Sequence, residues 1–170
     1  MTEPTLDPLI EVTVAGVAAQ DFIDAYYPAL NNPKGRASIA DFYVKPVPGK
    51  PIAADIVLNG VPSTDPTEIQ KIFDEQVTKA HYEVQTFDCH TINANYNVAA
   101  NESALALDMD GKKMSIVVIV GGTVKYGEDG DVRAFSDSLV LVPNLEAHGP
   151  KAAKGLKKWL VQSQNFRLVL

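Results

Sequence analysis

The chain is poor in the residues that several protein classes require. It has one cysteine, Cys89, among 170 residues, so neither an intrachain disulfide nor a cysteine-based zinc site is open to it. The longest strongly apolar run, Ile116 to Val120, is far shorter than the roughly 20 residues that carry a helix across a bilayer. Positive charge is also scarce: 15 Lys and Arg against 21 Asp and Glu give a net charge of −6. Residues 1–85 carry 12 acidic and 6 basic residues, and residues 86–170 carry 9 of each. Affinity for polyphosphate comes from concentrated positive charge, so the bulk chain is a poor nucleic-acid binder. The exception is Lys151, Lys154, Lys157 and Lys158, which read either as a solvated turn or as a candidate RNA contact. The opening Met1 to Pro8 is acidic and broken by proline, unlike a secretory leader. With 46% hydrophobic and 21% charged residues, the expectation is a soluble, intracellular protein of one domain.

What is present falls into two regimes. From Glu11 to Leu30, Phe22, Ile23, Tyr26, Tyr27 and Leu30 recur at the three- and four-residue spacing of one helix face. Pro28 predicts a kink or an early end, and Asn31 to Gly35 a stop and turn. A short second helix is expected over Arg36 to Phe42, followed by a strand over Ile52 to Leu58 and a tight Asn59-Gly60 turn. Asp65 as cap, Pro66 at the first helical position and Glu68 three beyond the cap mark a third helix, continued by Ile69, Ile72, Phe73, Gln76 and Val77. After about Ala80 the period changes to two. His81 to Ile92, Ser103 to Met109, Met114 to Tyr126, Arg133 to Val142 and Lys158 to Leu170 read as strands separated by turns. Helices first and a meander after predict α+β, a curved antiparallel sheet with three helices on one face.

The strands leave one face unaccounted for. In Arg133 to Val142, one face is Phe135, Asp137, Leu139 and Leu141, and the other is Ala134, Ser136, Ser138, Val140 and Val142. Ser115 to Val120 is apolar on both faces, and such a strand needs cover on both. Three helices cover one. The other face is either a subunit interface or is covered by the chain's own loops.

Few residues suggest chemistry. No phosphate-binding glycine loop occurs, and Gly121-Gly122 lies inside a strand, where glycine marks a bulge or a close backbone approach. His81, His90 and His148 are too scattered for a metal site, no nucleophile elbow surrounds any serine, and the acidic tips at Asp108, Asp110, Asp129 and Asp131 lack a calcium-loop spacing. No metal and no cofactor is expected. Cys89 reads as a small buried hydrophobe. One enzymatic arrangement is conceivable: Tyr26 and Tyr27 meeting Asp41 inside a cone, a hydroxyl and a carboxyl suited to a small lyase or isomerase.

Phe22 to Tyr27, the hairpin at Val57 to Gly60, Ser115 to Gly122, Arg133 to Leu139 and the closing Trp159-x6-Phe166-Arg167-Leu168 together resemble the nuclear transport factor 2 family, in order, from about residue 12 to the end. The resemblance implies a flexible N-terminus over 1–11 and a single conical domain over 12–170. Within the family it is strongest to the fungal small subunits of heterodimeric mRNA export receptors. It therefore implies a non-catalytic adaptor whose partner is a larger receptor subunit with a related domain. It further implies contact with phenylalanine-glycine nucleoporins through the heterodimer, residence in the nucleus and at the pore with shuttling to the cytoplasm, and a role in exporting the large ribosomal subunit. Loops 98–113 and 143–158 are the implied RNA or preribosome contacts, and no membrane contact is implied. The alternative within the family is an importer-like homodimer carrying a small GTPase. Importers have a glutamate before the hairpin glycine, where this chain has Asn59, and a tryptophan in the first helix, where it has none.

Residue reading and resemblance meet on the outer sheet face. By alternation Phe166 and Leu168 point inward, and Asn165, Arg167 and Val169 outward. The resemblance implies that Arg167 pairs with an acid of the partner, a role suited to a guanidinium fork; otherwise it is an exposed strand-end arginine. Val117, Ile119, Ser136, Ser138 and Val140 are expected around it, the serines allowing close approach and the branched side chains giving apolar area.

Overall fold

A computed structural model describes residues 4–50, 52–77, 79–98, 105–147 and 152–169. Helix α1 spans Pro8–Leu30. It starts where Asp7 accepts a hydrogen bond from the Leu9 amide at 2.8 Å and Pro8 takes the first helical position, an arrangement that satisfies a free amide and presets φ. Residues 8–11, expected in the flexible N-terminus, are thus its first turn. Its buried face is Ala15, Ala18, Ala19, Phe22, Ile23, Tyr26, Tyr27 and Leu30. Pro28 sits exposed in the last turn, and the helix ends two residues later. Asn31 then clamps that end to the sheet, donating to the Tyr82 carbonyl at 2.8 Å and accepting from the Tyr82 amide at 2.6 Å.

The second helix divides in two. A single turn, α2, covers Pro33–Arg36, and a 3-10 turn covers Ile39–Phe42. The expected stop at Asn31 to Gly35 is itself helical, because Asn32 caps Pro33 through a 2.9 Å bond from the Lys34 amide. Strands β1 (Asp55–Leu58) and β2 (Val61–Ser63) form a hairpin. Asn59 and Gly60 turn it with φ of 48° and 86°, the doubly left-handed form that suits the right-handed strand twist. Helix α3 (Pro66–Glu75) begins at Asp65 as expected, its carboxylate accepting from the Thr67 amide at 2.9 Å.

Strands β3 (Ala80–Asn93), β4 (Ser115–Tyr126), β5 (Val132–Pro143) and β6 (Trp159–Val169) follow. The six strands form one sheet in the order β2-β1-β6-β5-β4-β3. Neighbours run antiparallel except β1 and β6, which are parallel. The expected all-antiparallel pattern fails there because β6 returns beside β1 only after the chain has passed through α3 and four other strands. The sheet curls around α1, and Tyr82, Val118, Val120, Phe135, Leu139 and Phe166 close the core against it.

The strand expected over Ser103 to Met109 does not form: residues 105–109 are irregular, and residues 103–104 lie outside the described residues. Side chains take the backbone there. The Leu105 carbonyl accepts from Asn95 and Asn97, and the Ala106 carbonyl accepts from Lys113, leaving no ladder for a neighbouring strand.

Gly121 and Gly122 mark a close approach, as the sequence suggests. β3 shifts register between Val84 and Thr86 opposite them. A Cβ at Gly122 would lie 2.1 Å from the Glu83 carbonyl oxygen and 2.9 Å from Phe135, whereas one at Gly121 would meet only the Thr86 methyl at 3.1 Å. Gly122→Ala is therefore expected to lower stability by about 3 kcal/mol, as overpacking against backbone does, and Gly121→Ala by clearly less. Urea unfolding midpoints of the two variants test the difference.

Candidate functional site

The cone interior holds a polar cluster. Asp137 on β5 is 1% exposed. Its carboxylate accepts from the Tyr27 hydroxyl at 2.8 Å and from Gln164 Nε2 at 3.1 Å. Gln164 Oε1 accepts from the Tyr43 hydroxyl at 2.5 Å, and the Tyr43 and Tyr26 hydroxyls lie 2.7 Å apart. Burial pushes the Asp137 carboxyl up to about 7, with the bonds from Tyr27 and Gln164 opposing the rise. Burial likewise raises Tyr26, Tyr27 and Tyr43. A cavity of about 300 Å³ between α3, the β1–β2 hairpin and the inner sheet face reaches Asp137 and Gln164.

Asp41 is not part of this cluster. It lies exposed within the 3-10 turn, 3.4 Å from Lys45 Nζ. The expected Tyr–Asp41 pair is therefore corrected: a hydroxyl in the cone has Asp137, not Asp41, as its carboxyl partner. Sequence reasoning placed Asp137 on the inner face of its strand and passed over it. An acid alternating in phase with Phe135, Leu139 and Leu141 was the available signal.

The outer face is assembled by register. One row across the sheet runs Asp88, Ile119, Ser138 and Asn165; the next runs His90, Val117, Val140 and Ser163; a third runs Thr86, Gly121, Ser136 and Arg167; and Ala134 lies opposite Val169. All eight residues expected at an interface therefore share one continuous patch. Ile119 at its centre is 46% exposed. Asn165, Arg167 and Val169 are exposed, and Val117, Ser136, Ser138 and Val140 are half-buried. Asp88 and His90, 3.0 Å apart, edge the patch on the strand farthest from Arg167. At the other end of the face the chain's own loops roof the sheet, and Ser115 and Val142 are buried there.

The lysine turn is less available than its sequence suggests. Lys151 lies outside the described residues, and Lys154 and Lys158 are exposed. Lys157 places its ammonium 3.9 Å from the Phe42 ring centre, a cation–π contact that ties the turn to the domain. In loop 98–113 the described part is pinned by Lys113, whose buried ammonium donates to Asn95, Asn97 and the Ala106 carbonyl. Burial lowers its pKa.

A curled six-stranded sheet around a long first helix, with an apolar core that encloses one polar cluster, defines a nuclear transport factor 2-like domain. A ketosteroid isomerase-like protein from Erwinia carotovora atroseptica shares this fold at 11% identity, with a TM-score of 0.53 over 94% of this chain and 97% of its own. A family model described as Nuclear pore RNA shuttling protein Mtr2 matches residues 19–115. The chain belongs to that family. A chain in the solved structure of a Sac3N peptide bound to Mex67:Mtr2 is 29% identical, with a TM-score of 0.77 over 91% of this chain and 99% of that one. A chain in the complex of the Chaetomium thermophilum Mex67 NTF2-like domain with Mtr2 is also 29% identical, with a TM-score of 0.76 over 91% and 98%. A sequence search of curated proteins finds no match.

The interior acid has a measurable consequence. Unfolded, Asp137 loses its proton near its ordinary 3.8; folded, it keeps it to about 7. The folded state binds the extra proton between these values, so its contribution is full below pH 4 and is lost as pH rises to 7. Asp137→Asn cannot titrate. Its stability relative to wild type is expected to rise by about 4 kcal/mol across that range and then level off, read from urea midpoints between pH 4 and 8; a constant offset contradicts the assignment.

Proposed function

We propose that this chain is the small, non-catalytic subunit of a heterodimeric mRNA export receptor, and that its outer sheet face binds the related domain of a larger subunit. The observation that carries this reading is the bare central patch around Ile119, on a sheet whose inner face packs against α1 and the aromatic core. Monomers rarely leave a patch of that kind bare, and obligate interfaces of this type bury about 2,000 Å² or more. Family membership supports it, as do similar chains in structures containing Mex67 and Mtr2.

The finer steps belong to the same proposal. Through its partner the subunit engages phenylalanine-glycine nucleoporins, works in the nucleus and at the pore, and shuttles to the cytoplasm. It also takes part in export of the large ribosomal subunit, with loops 98–113 and 143–158 as RNA or preribosome contacts. The GTPase-carrying homodimer is disfavoured by Asn59. Its side chain accepts from the Leu168 amide at 2.9 Å and its own amide donates to the Phe166 carbonyl at 2.8 Å, so the position is occupied in tying the hairpin to β6. Trp159, the sole tryptophan, packs half-buried against the core.

Arg167→Asp is expected to weaken pairing with the larger subunit, since an acid would face the partner's acid. Ile119→Glu would bury a charge without a partner. Each should weaken binding by roughly a hundredfold or more while leaving far-UV circular dichroism and the melting temperature of the isolated chain near wild type. Wild-type retention of the purified larger subunit by both variants would refute the interface.

A further inference from the structure

A second surface adjoins the patch. Beyond the Val140–Ser163 pair, β6 shifts register against β5, and the next outward pair is Val142 with Leu160. There the sheet ceases to be bare. Residues 44, 45, 47, 52 and 53, residues 96 and 98, Leu145 and Glu146 of the 3-10 turn Leu145–Ala147 and residues 155–157 rise around it and leave a groove of about 510 Å³. Val142, Pro143 and Leu160 are among the residues lining it, and Val47, Val98 and Leu156 along it are 40%, 45% and 41% exposed.

The groove's charges are largely spoken for. Asp41 is paired with Lys45, and Lys157 lies over the Phe42 ring. Asn144 is engaged at both ends, its amide donating to the Lys158 carbonyl and its side chain to the Lys157 carbonyl. What remains for an occupant is apolar area with Glu146 as an exposed acid. A phosphate backbone finds little to bind in such a groove, because its affinity comes from uncompensated cations. An extended peptide with aliphatic or aromatic side chains suits it.

We propose that this groove receives an extended apolar segment of the larger subunit, the stretch of its chain that continues past the sheet-to-sheet contact. The inference rests on the heterodimer reading above. Continuity selects the occupant: Val142 and Leu160 extend the rows of Val140 and Ser163, so a chain leaving the central patch toward this end enters the groove. Seating two such side chains against Val47, Val98 and Leu156 removes apolar surface that the domain otherwise leaves in water.

The test uses the full chain with the full-length larger subunit. A photo-crosslinking residue replaces Leu156, and another, as a control, replaces Leu9 on the exposed side of α1. Mass spectrometry of the irradiated heterodimer is expected to join position 156 to one apolar peptide of the larger subunit, and position 9 to none. Leu156→Glu with Val47→Asp should speed dissociation about tenfold, and deleting the crosslinked partner segment should speed it equally, with no further loss when the two changes are combined. Crosslinks from 156 to RNA, crosslinks only within this chain, or an unchanged dissociation rate would overturn the groove assignment. Ile119→Glu run in parallel separates the two ideas. If it fails to disrupt pairing, the heterodimer interface itself falls; if it disrupts pairing while the groove variants do nothing, the groove alone falls.

Discussion

A strand that is apolar on both sides in a domain with helices on one side only governs the molecule. Ser115 to Val120 is flanked inward by α1 and the aromatic core, and outward, among the described residues, by no α-helix. The inner side is satisfied by folding. The outer side is satisfied in part by the loops that bury Ser115 and Val142 at one end, and otherwise stays open around Ile119. The proposed interface and the adjoining groove are two consequences of this single imbalance, one where the sheet is bare and one where the loops stop short of closing over it.

The interior obeys a different constraint. A cone packed with Tyr26, Tyr27 and Phe135 also contains a carboxyl, and a buried carboxyl must be bonded or neutral. Asp137 is bonded to Tyr27 and Gln164, and burial raises its carboxyl to about 7. The cluster joins α1, the segment after the 3-10 turn, β5 and β6 through directed hydrogen bonds, which apolar packing cannot do. It draws together the elements whose outer surfaces carry Arg167, Asn165 and Ser138. The same inward-facing polar groups explain why a likeness in fold to an isomerase-like protein says nothing of activity here: the hydroxyls and the acid satisfy one another.

How far local pattern could be read depended on where each element's hydrogen bonds go. α3 and the Asn59-Gly60 turn are self-contained, with Asp65 and the Asn-Gly pair as their signals, and they stand where the residues put them; α1 starts at Pro8, three residues before the expected Glu11, because Asp7 caps it. The outer-face residues were legible too, because strict alternation along β5 and β6 survives until the register shift near Val140. The helix expected at Arg36 to Phe42 instead splits, and the strand expected at Ser103 to Met109 fails over residues 105–109. In that second case distant donors, Asn95, Asn97 and Lys113, claim the carbonyls, and no local periodicity reports them. The partner of the cone tyrosines was misplaced for the same reason: Asp41 is near Tyr26 in sequence, whereas Asp137 is near it only after β5 has been laid beside β6.

What the amino-acid order determined by itself was therefore what depends on neighbours within a turn or along one strand: the start of α3, the tight hairpin, and the inward and outward sets. Tertiary structure alone decided the parallel docking of β6 beside β1, the Asp137 cluster, the stacking of Lys157 on Phe42 and the groove beyond Val140. Each of these joins groups far apart in the chain, and their energy comes from burial and hydrogen bonds that exist only once the sheet has curled around α1.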